Sequence, residues 1–374
     1  MNIPNVYERP DYHKLLIIPL ALMFLSLFFI PMIPQGIDLK GGALFTVYTG
    51  EGDLNAKVTE LEERLSPLSP EISVRVFENP SGRGLEIEMQ SNPNLDEVEE
   101  QLASLKRLDE DYSAEQLRLD ALIDQGEENE IREQRAKAQA SEQALLSEAN
   151  YLMEKLGTGT RATNGMDAFA AVDAELQEQK SSFREDVLSE IEAVVPVDSY
   201  TSKEIGASLS KFFFSQVTQI LLFAFVASGI VIVLVFRSFL PSLAVIFGAF
   251  ADLIITLGLM GLFQIPLTLA TVAALLMLVG FSLDTDMLLT IRVLKRSEGN
   301  ARQRIFDTMK TAFLMNATTV AAFAVLLGVA SILQIQTYSQ IGAVAVIGGI
   351  VDFIATWTGN AALVLWHADN RGIK

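Results

Sequence analysis

LTLATVAALLMLVGFSLDTDMLLTIRVLKR, residues 267–296, decides how the rest of the chain is read. It is apolar over the ~20 residues that a helix needs to cross a bilayer. Yet Asp284 and Asp286 lie within it, and it closes on Arg292, Lys295 and Arg296. A carboxylate at membrane depth costs roughly 2.5–3.5 kcal/mol, so it persists mainly where it faces a bundle interior and has work to do. The segment reads as a membrane helix built around a functional requirement.

Working outward, the chain holds five more apolar runs of similar length, at 15–34, 217–236, 240–262, 311–333 and 341–366. With 267–291 they make six spans. The run at 15–34 is longer than a signal peptide's apolar core and is not followed by a small-x-small cleavage site, so it reads as a retained helix. Between the first and second spans, residues 35–216 hold 37 of the 46 acidic and 17 of the 28 basic residues. The chain thus joins an acidic aqueous domain to a nearly uncharged membrane domain at 217–366. Lys and Arg concentrate after the fourth span (Arg292, Lys295, Arg296, Arg302, Arg304, Lys310), at Arg237 and in the tail at 367–374, whereas the loops near Gln264 and Gln336 carry none. The positive-inside rule then puts residues 1–14 and 367–374 in the cytoplasm and the acidic domain outside.

Within that domain, alternation in ALFTVYT, a helical pattern over 54–65 and strand-like runs at 72–77 and 85–89 across NPSGRG give strand, helix, strand, strand. Residues 193–197 supply a last strand, completing an α+β ferredoxin-like order. Apolar residues three and four apart over 94–165, interrupted by GEEN at 126–129, predict a long helical hairpin inserted into it.

Four carboxylates fall at membrane depth: Asp252, Asp284, Asp286 and Asp352. Asp284 and Asp286 are about 200° apart around a helix, so at most one points at a common centre. Asp284, on a face with Leu288 and Arg292, is ranked first, and Asp286 faces another helix or a partner. No Lys or Arg lies in the middle of a span, and a desolvated, unpaired carboxyl is held more cheaply with a proton on it. That is the profile of a proton or ion relay, with hydrogen bonds to Asn316, Thr318 or Thr319 as the purely structural alternative. Gly280, with Ser282, is a place for the helix to loosen.

Other chemistry is excluded. The chain has no Cys, and its two His, at 13 and 367, sit at span edges without partners for a metal site or a Ser–His pair. No metal or cofactor is expected. The GxGD pattern of paired-aspartate intramembrane proteases and the phosphate-binding GxxxxGK[ST] are both absent, so neither an enzyme nor direct use of ATP is expected. Nothing in the acidic domain suggests nucleic acid.

GIDLKGG after the first span, a large external domain, five further spans and GFSLDTDMLLTIRVLKR together resemble the SecD/SecF protein-export family, relatives of the RND transporters. The short external domain and the ending of the fourth span resemble the archaeal SecF branch. Gly36, Asp38, Gly41 and Gly42 match the family's re-entry motif. Gly280, Asp284 and Arg292 match its fourth-span pattern, and Asn316, Thr318 and Thr319 resemble its Asn-x-Thr-Thr. Asp252 and Asp352 match no position of the bacterial pattern, and Thr311 stands where bacterial SecF has Arg. The resemblance implies an accessory of the Sec translocon channel in the cell membrane. It would work with a SecD-like subunit, among membrane lipids, and use the proton gradient to move exported polypeptide. An RND-type solute or lipid exporter subunit and a non-transporting scaffold are the alternatives.

Overall fold

The computed structural model describes residues 5–371 except 51, 81, 126, 127, 297 and 298. Gly126 and Glu127 of the expected GEEN turn, Ser81 of NPSGRG and Lys374 of the basic tail lie outside the described residues. The chain divides into two units, residues 1–39 with 213–374, and 40–212.

In chain order the helices and strands are α1 (Ile17–Phe29), α2 (Ile37–Lys40), β1 (Gly42–Tyr48), α3 (Asn55–Leu65), β2 (Ile72–Asn79) and β3 (Gly82–Met89). Then come α4 (Pro93–Gln125), α5 (Glu128–Lys155), α6 (Gly165–Glu192) and β4 (Ser199–Ile205). The remainder is helical: α7 (Ala207–Phe236), α8 (Phe239–Leu262), α9 (Leu269–Lys295), α10 (Ala301–Ile332), α11 (Gln336–Ala355) and α12 (Ala361–Asn370).

In the domain of residues 40–212 the sheet order is β2-β3-β1-β4, with every neighbouring pair antiparallel. This is the ferredoxin-like order that the sequence predicts, with α4 and α5 inserted before α6. One face of the sheet is apolar because alternate residues of β1 and β3 (Phe45, Val47, Leu85, Ile87) point the same way. They bury against Leu61 and Leu65 of α3 and Val187 and Ile191 of α6. A second core (Leu105, Leu145, Leu152, Val172, Leu176) zips α4, α5 and α6 together along the predicted three- and four-residue spacing.

The last strand is not where sequence patterning puts it. Residues 193–197 form a turn whose Val194 and Val195 fill the core under the sheet, while the strand is Ser199–Ile205, SYTSKEI. Most of this edge strand is exposed, so no apolar alternation marks it.

Six helical segments of the other unit are long and apolar enough to span a membrane: Tyr12–Met32, Ala207–Phe236, Phe239–Leu262, Leu269–Lys295, Ala301–Ile332 and Gln336–Asn370. About half the residues of the third, fourth and sixth are buried, against few in the others. α8, α9 and the α11–α12 segment therefore form the bundle's centre. α1 lies against α8 where Gly258 and Gly261 remove side chains: a Cβ at Gly261 would stand 2.0 Å from the Phe29 carbonyl oxygen. α9 starts at a reciprocal cap, Thr268 accepting from the Thr271 N–H and Thr271 from that of Thr268. Its other end is held by Arg304, whose guanidinium donates to the carbonyls of Val293 (3.0 Å) and Gly299 (2.7 Å). A cation suits that end of the helix dipole.

α9 runs unbroken through Gly280 and Ser282, so the expected loosening there is absent. The irregularity falls in the last span, where a π-helical turn, Thr356–Asn360, separates α11 from α12.

Candidate functional site

Three of the four intramembrane carboxyls meet. Asp252 on α8, Asp286 on α9 and Asp352 on α11 are all wholly or almost wholly buried. The Ser282 hydroxyl donates to Asp252 across the α8–α9 contact. Asn316 on α10 donates to Asp352 at 2.9 Å. The π-turn supplies the donors for Asp286: the Thr356 hydroxyl at 2.8 Å and the Asn360 amide at 2.7 Å. Thr356 also lies 3.4 Å from Asp352, so its hydroxyl bridges two acids. Among the described residues, no Lys, Arg or His hydrogen-bonds any of the three.

The turn runs from Thr356 to Asn360, the two residues that donate to Asp286. A π-turn inserts one residue into the helical register, a deviation common at functional sites. Gly248 on α8 makes the remaining space: a Cβ there would sit 2.2 Å from Asp286 Oδ2.

Asp284 is elsewhere. α9 turns Asp286 inward and Asp284 outward, where it is exposed with Ala273, Met277 and Gly280 on one open stripe. No atom lies within 4 Å of a Cβ built at Gly280. Packing thus puts Asp286, and not Asp284, at the common centre: helical spacing fixes the angle between two side chains but not which one faces the core. Arg292 is half-buried eight residues beyond Asp284 and, among the described residues, bonds none of the four acids. Thr318 and Thr319 donate to the Met315 carbonyl of their own helix and stay outside the cluster.

Sequence reasoning gave Ser282 a different role, as a place for the helix to loosen, and missed Thr356 and Asn360. Their signal was present: Ser282, Asp286 and Thr290 recur every four residues along α9 as a buried polar stripe, and Asp352, Thr356 and Asn360 repeat the interval.

The GIDLKGG segment lies at the bundle end that bears the Gln264 loop. The Gly36 N–H donates to the Leu267 carbonyl (2.9 Å), and the Leu267 N–H returns a bond to Pro34 (2.7 Å). Asp38 lies in the first turn of α2. Gly41 has φ +82°, a left-handed conformation suited to glycine, where the chain turns from α2 into β1. This motif shapes the chain path and stands apart from the acids.

Fold and site together define a six-span membrane protein that carries a ferredoxin-like domain between its first two spans and a carboxyl cluster inside its bundle. Residues 186–370 match the family model described as protein export membrane protein SecD/SecF, C-terminal. The chain is 36% identical over 227 residues to the protein-export membrane protein SecF of Methanothermobacter thermautotrophicus, covering 59% of this chain and 76% of that one. It is 42% identical over 172 residues to SecF of Methanolacinia petrolearia, covering 46% of this chain and 61% of the relative. A crystal structure of SecDF, a translocon-associated membrane protein from Thermus thermophilus, superposes with a TM-score of 0.57 at 15% identity over 97% of this chain and 60% of that one, a likeness of fold. The chain belongs to the SecF family of protein-export membrane proteins. Both the family model and the relatives are described as protein-export membrane proteins.

Proposed function

We propose that this chain works with a SecD-like membrane subunit at the Sec translocon, drawing on a transmembrane proton gradient to promote release of exported polypeptide outside the cell. Both termini lie in the cytoplasm in this reading, and the domain of residues 40–212 works on the other side. The observation that carries it is the convergence of Asp252, Asp286 and Asp352 from three helices with only neutral donors around them. Three buried carboxyls without a cation are expensive unless protons neutralise them, and a group that gains and loses a proton inside a bundle couples packing to a gradient.

The open stripe of α9 supports the partner. Asp284 is a carboxyl at membrane depth with small neighbours, so a helix from a second chain approaches closely there and supplies the donor that this chain does not.

The test is export of a secretory reporter into inverted membrane vesicles, with and without a proton gradient, comparing the parent with Asp286→Asn and Asp284→Asn. Each variant is expected to lose the gradient-dependent component while keeping the basal rate. Unchanged gradient dependence in both would sink the reading.

A further inference from the structure

The cations at one end of the membrane unit sort into two groups. Arg302, Arg304 and Lys310 are committed to the protein itself. Arg302 pairs with Asp369 (3.1 Å), Arg304 caps α9, and Lys310 pairs with Asp307 (3.2 Å) and lies over the Phe306 ring. Arg237, Arg292, Lys295 and Arg296, at the ends of α7 and α9, are not so committed: among the described residues, none of these four is in an ion pair.

The four belong to two helix ends that touch. The Lys295 ammonium lies 3.5 Å from the Val235 carbonyl oxygen and stands over the Phe236 ring, 5.7 Å from its centroid. That contact sets the last turn of α9 against the last turn of α7, beside Arg237. Arg292 is one turn back along α9 and half-buried, and its Nε is enclosed without an acceptor. One cation at each end would suit the two helix dipoles. Four like charges in adjacent turns repel, and a buried donor without an acceptor is costly. Together they call for an anion with several acceptor oxygens.

An anion with an apolar body fits the surroundings. Val231, Leu234 and Val235 share one exposed apolar face of α7 just before the cations, and the exposed Phe239 follows them. Few residues of this span are buried. An apolar face that runs into a basic cluster at the end of a span suits one lipid molecule, its chains along the helix and its headgroup at the end.

We propose that the ends of α7 and α9 form a site for the phosphate headgroup of an anionic lipid, with Arg237, Arg292 and Lys295 as its donors, and that the bound lipid fastens α7 to α9. Guanidinium groups offer paired N–H donors that match phosphate oxygens, and an ammonium adds a point charge. Because α7 buries little of itself in the bundle, a lipid bridging its end to α9 acts as a staple.

The experiment is native mass spectrometry of the full chain in detergent, titrated with phosphatidylglycerol or with phosphatidylcholine of the same acyl chains. Phosphatidylglycerol is expected to bind more tightly. Arg237→Gln combined with Arg292→Gln is expected to weaken it about 25-fold, fivefold for each cation removed, and to leave phosphatidylcholine unchanged. Lys310→Gln, which removes a cation already paired, is expected to keep the parent's preference. No preference for phosphatidylglycerol in the parent overturns the site, whether or not any variant folds. A preference kept in the double variant, or lost equally in Lys310→Gln, overturns its location. Displacement of the lipid by equimolar inorganic phosphate assigns the cluster to a free anion and overturns the lipid. The parent's thermal midpoint is expected to rise with phosphatidylglycerol and not with phosphatidylcholine; an unmoved midpoint overturns the staple.

Discussion

Gly248 and Asp286 are a matched pair on facing helices, and neither makes sense without the other. A methyl group at 248 would meet the carboxyl at 2.2 Å, and that carboxyl is pinned by Thr356 and Asn360. Gly248→Ala is therefore expected to cost about 1–3 kcal/mol, as overpacking does, and to lower the thermal midpoint of the purified chain in detergent. Gly280→Ala, which meets nothing within 4 Å, is expected to leave that midpoint unchanged. The candidate site was half legible at this scale. Four acids in apolar spans announce themselves by composition, but their pairing depends on the rotational phase of each helix. That phase was encoded in the neutral residues, with Ser282 and Thr290 marking the buried side and Ala273, Met277 and Gly280 the open one.

Elements were legible where burial is one-sided. The alternation of β1 and β3 and the seam of α4 and α5 follow directly from facing a core, whereas β4 hides because an exposed edge strand has no apolar face to display. β4 is held by its ladder to β1, and charge adds to it: Lys180 of α6 reaches Glu99 of α4 and Glu204 of β4. Asp96, nearby on α4, has its carboxyl pushed up chiefly by burial, which outweighs the Ser91 hydroxyl bonded to it at 2.7 Å. A carboxyl that holds its proton more tightly folded than unfolded makes the folded state lose stability as pH rises from the ordinary carboxylate value, about 3.9, through the raised one. Asp96→Asn is expected to remove that loss and slow amide exchange in β4 at neutral pH, measured by hydrogen-exchange mass spectrometry. Faster exchange would show that the ionised carboxylate holds the network together. The π-turn had no sequence signature: TWTGN carries neither proline nor a run of glycines.

At the scale of the whole molecule, six spans and an acidic aqueous domain were readable from hydropathy and charge alone, because the bilayer allows so few solutions to a chain. What hydropathy does not distinguish is a span buried among its neighbours from one awaiting a neighbour, since both are apolar. The open stripe of α9 makes that difference testable. The chain has no cysteine, so Met277→Cys carries its sole thiol. That thiol is expected to react with a membrane-permeant maleimide when the chain is expressed alone and to be protected when a SecD-like subunit is co-expressed; equal reactivity would place the partner on another face.

The pairing of β1 with β4 has a mechanical corollary. Gly42 and Ile205 are register partners, so the two strands through which the chain joins and leaves the sheet are tethered at the same end of one antiparallel ladder. A force that spreads the two tethers loads that ladder like a zipper, breaking its bonds one at a time from Gly42 toward Tyr48. A force that moves both tethers together leaves every bond unloaded. The domain is thus stiff to being carried as a block and weak to being pried apart, which makes whole-body displacement the motion it survives under tension.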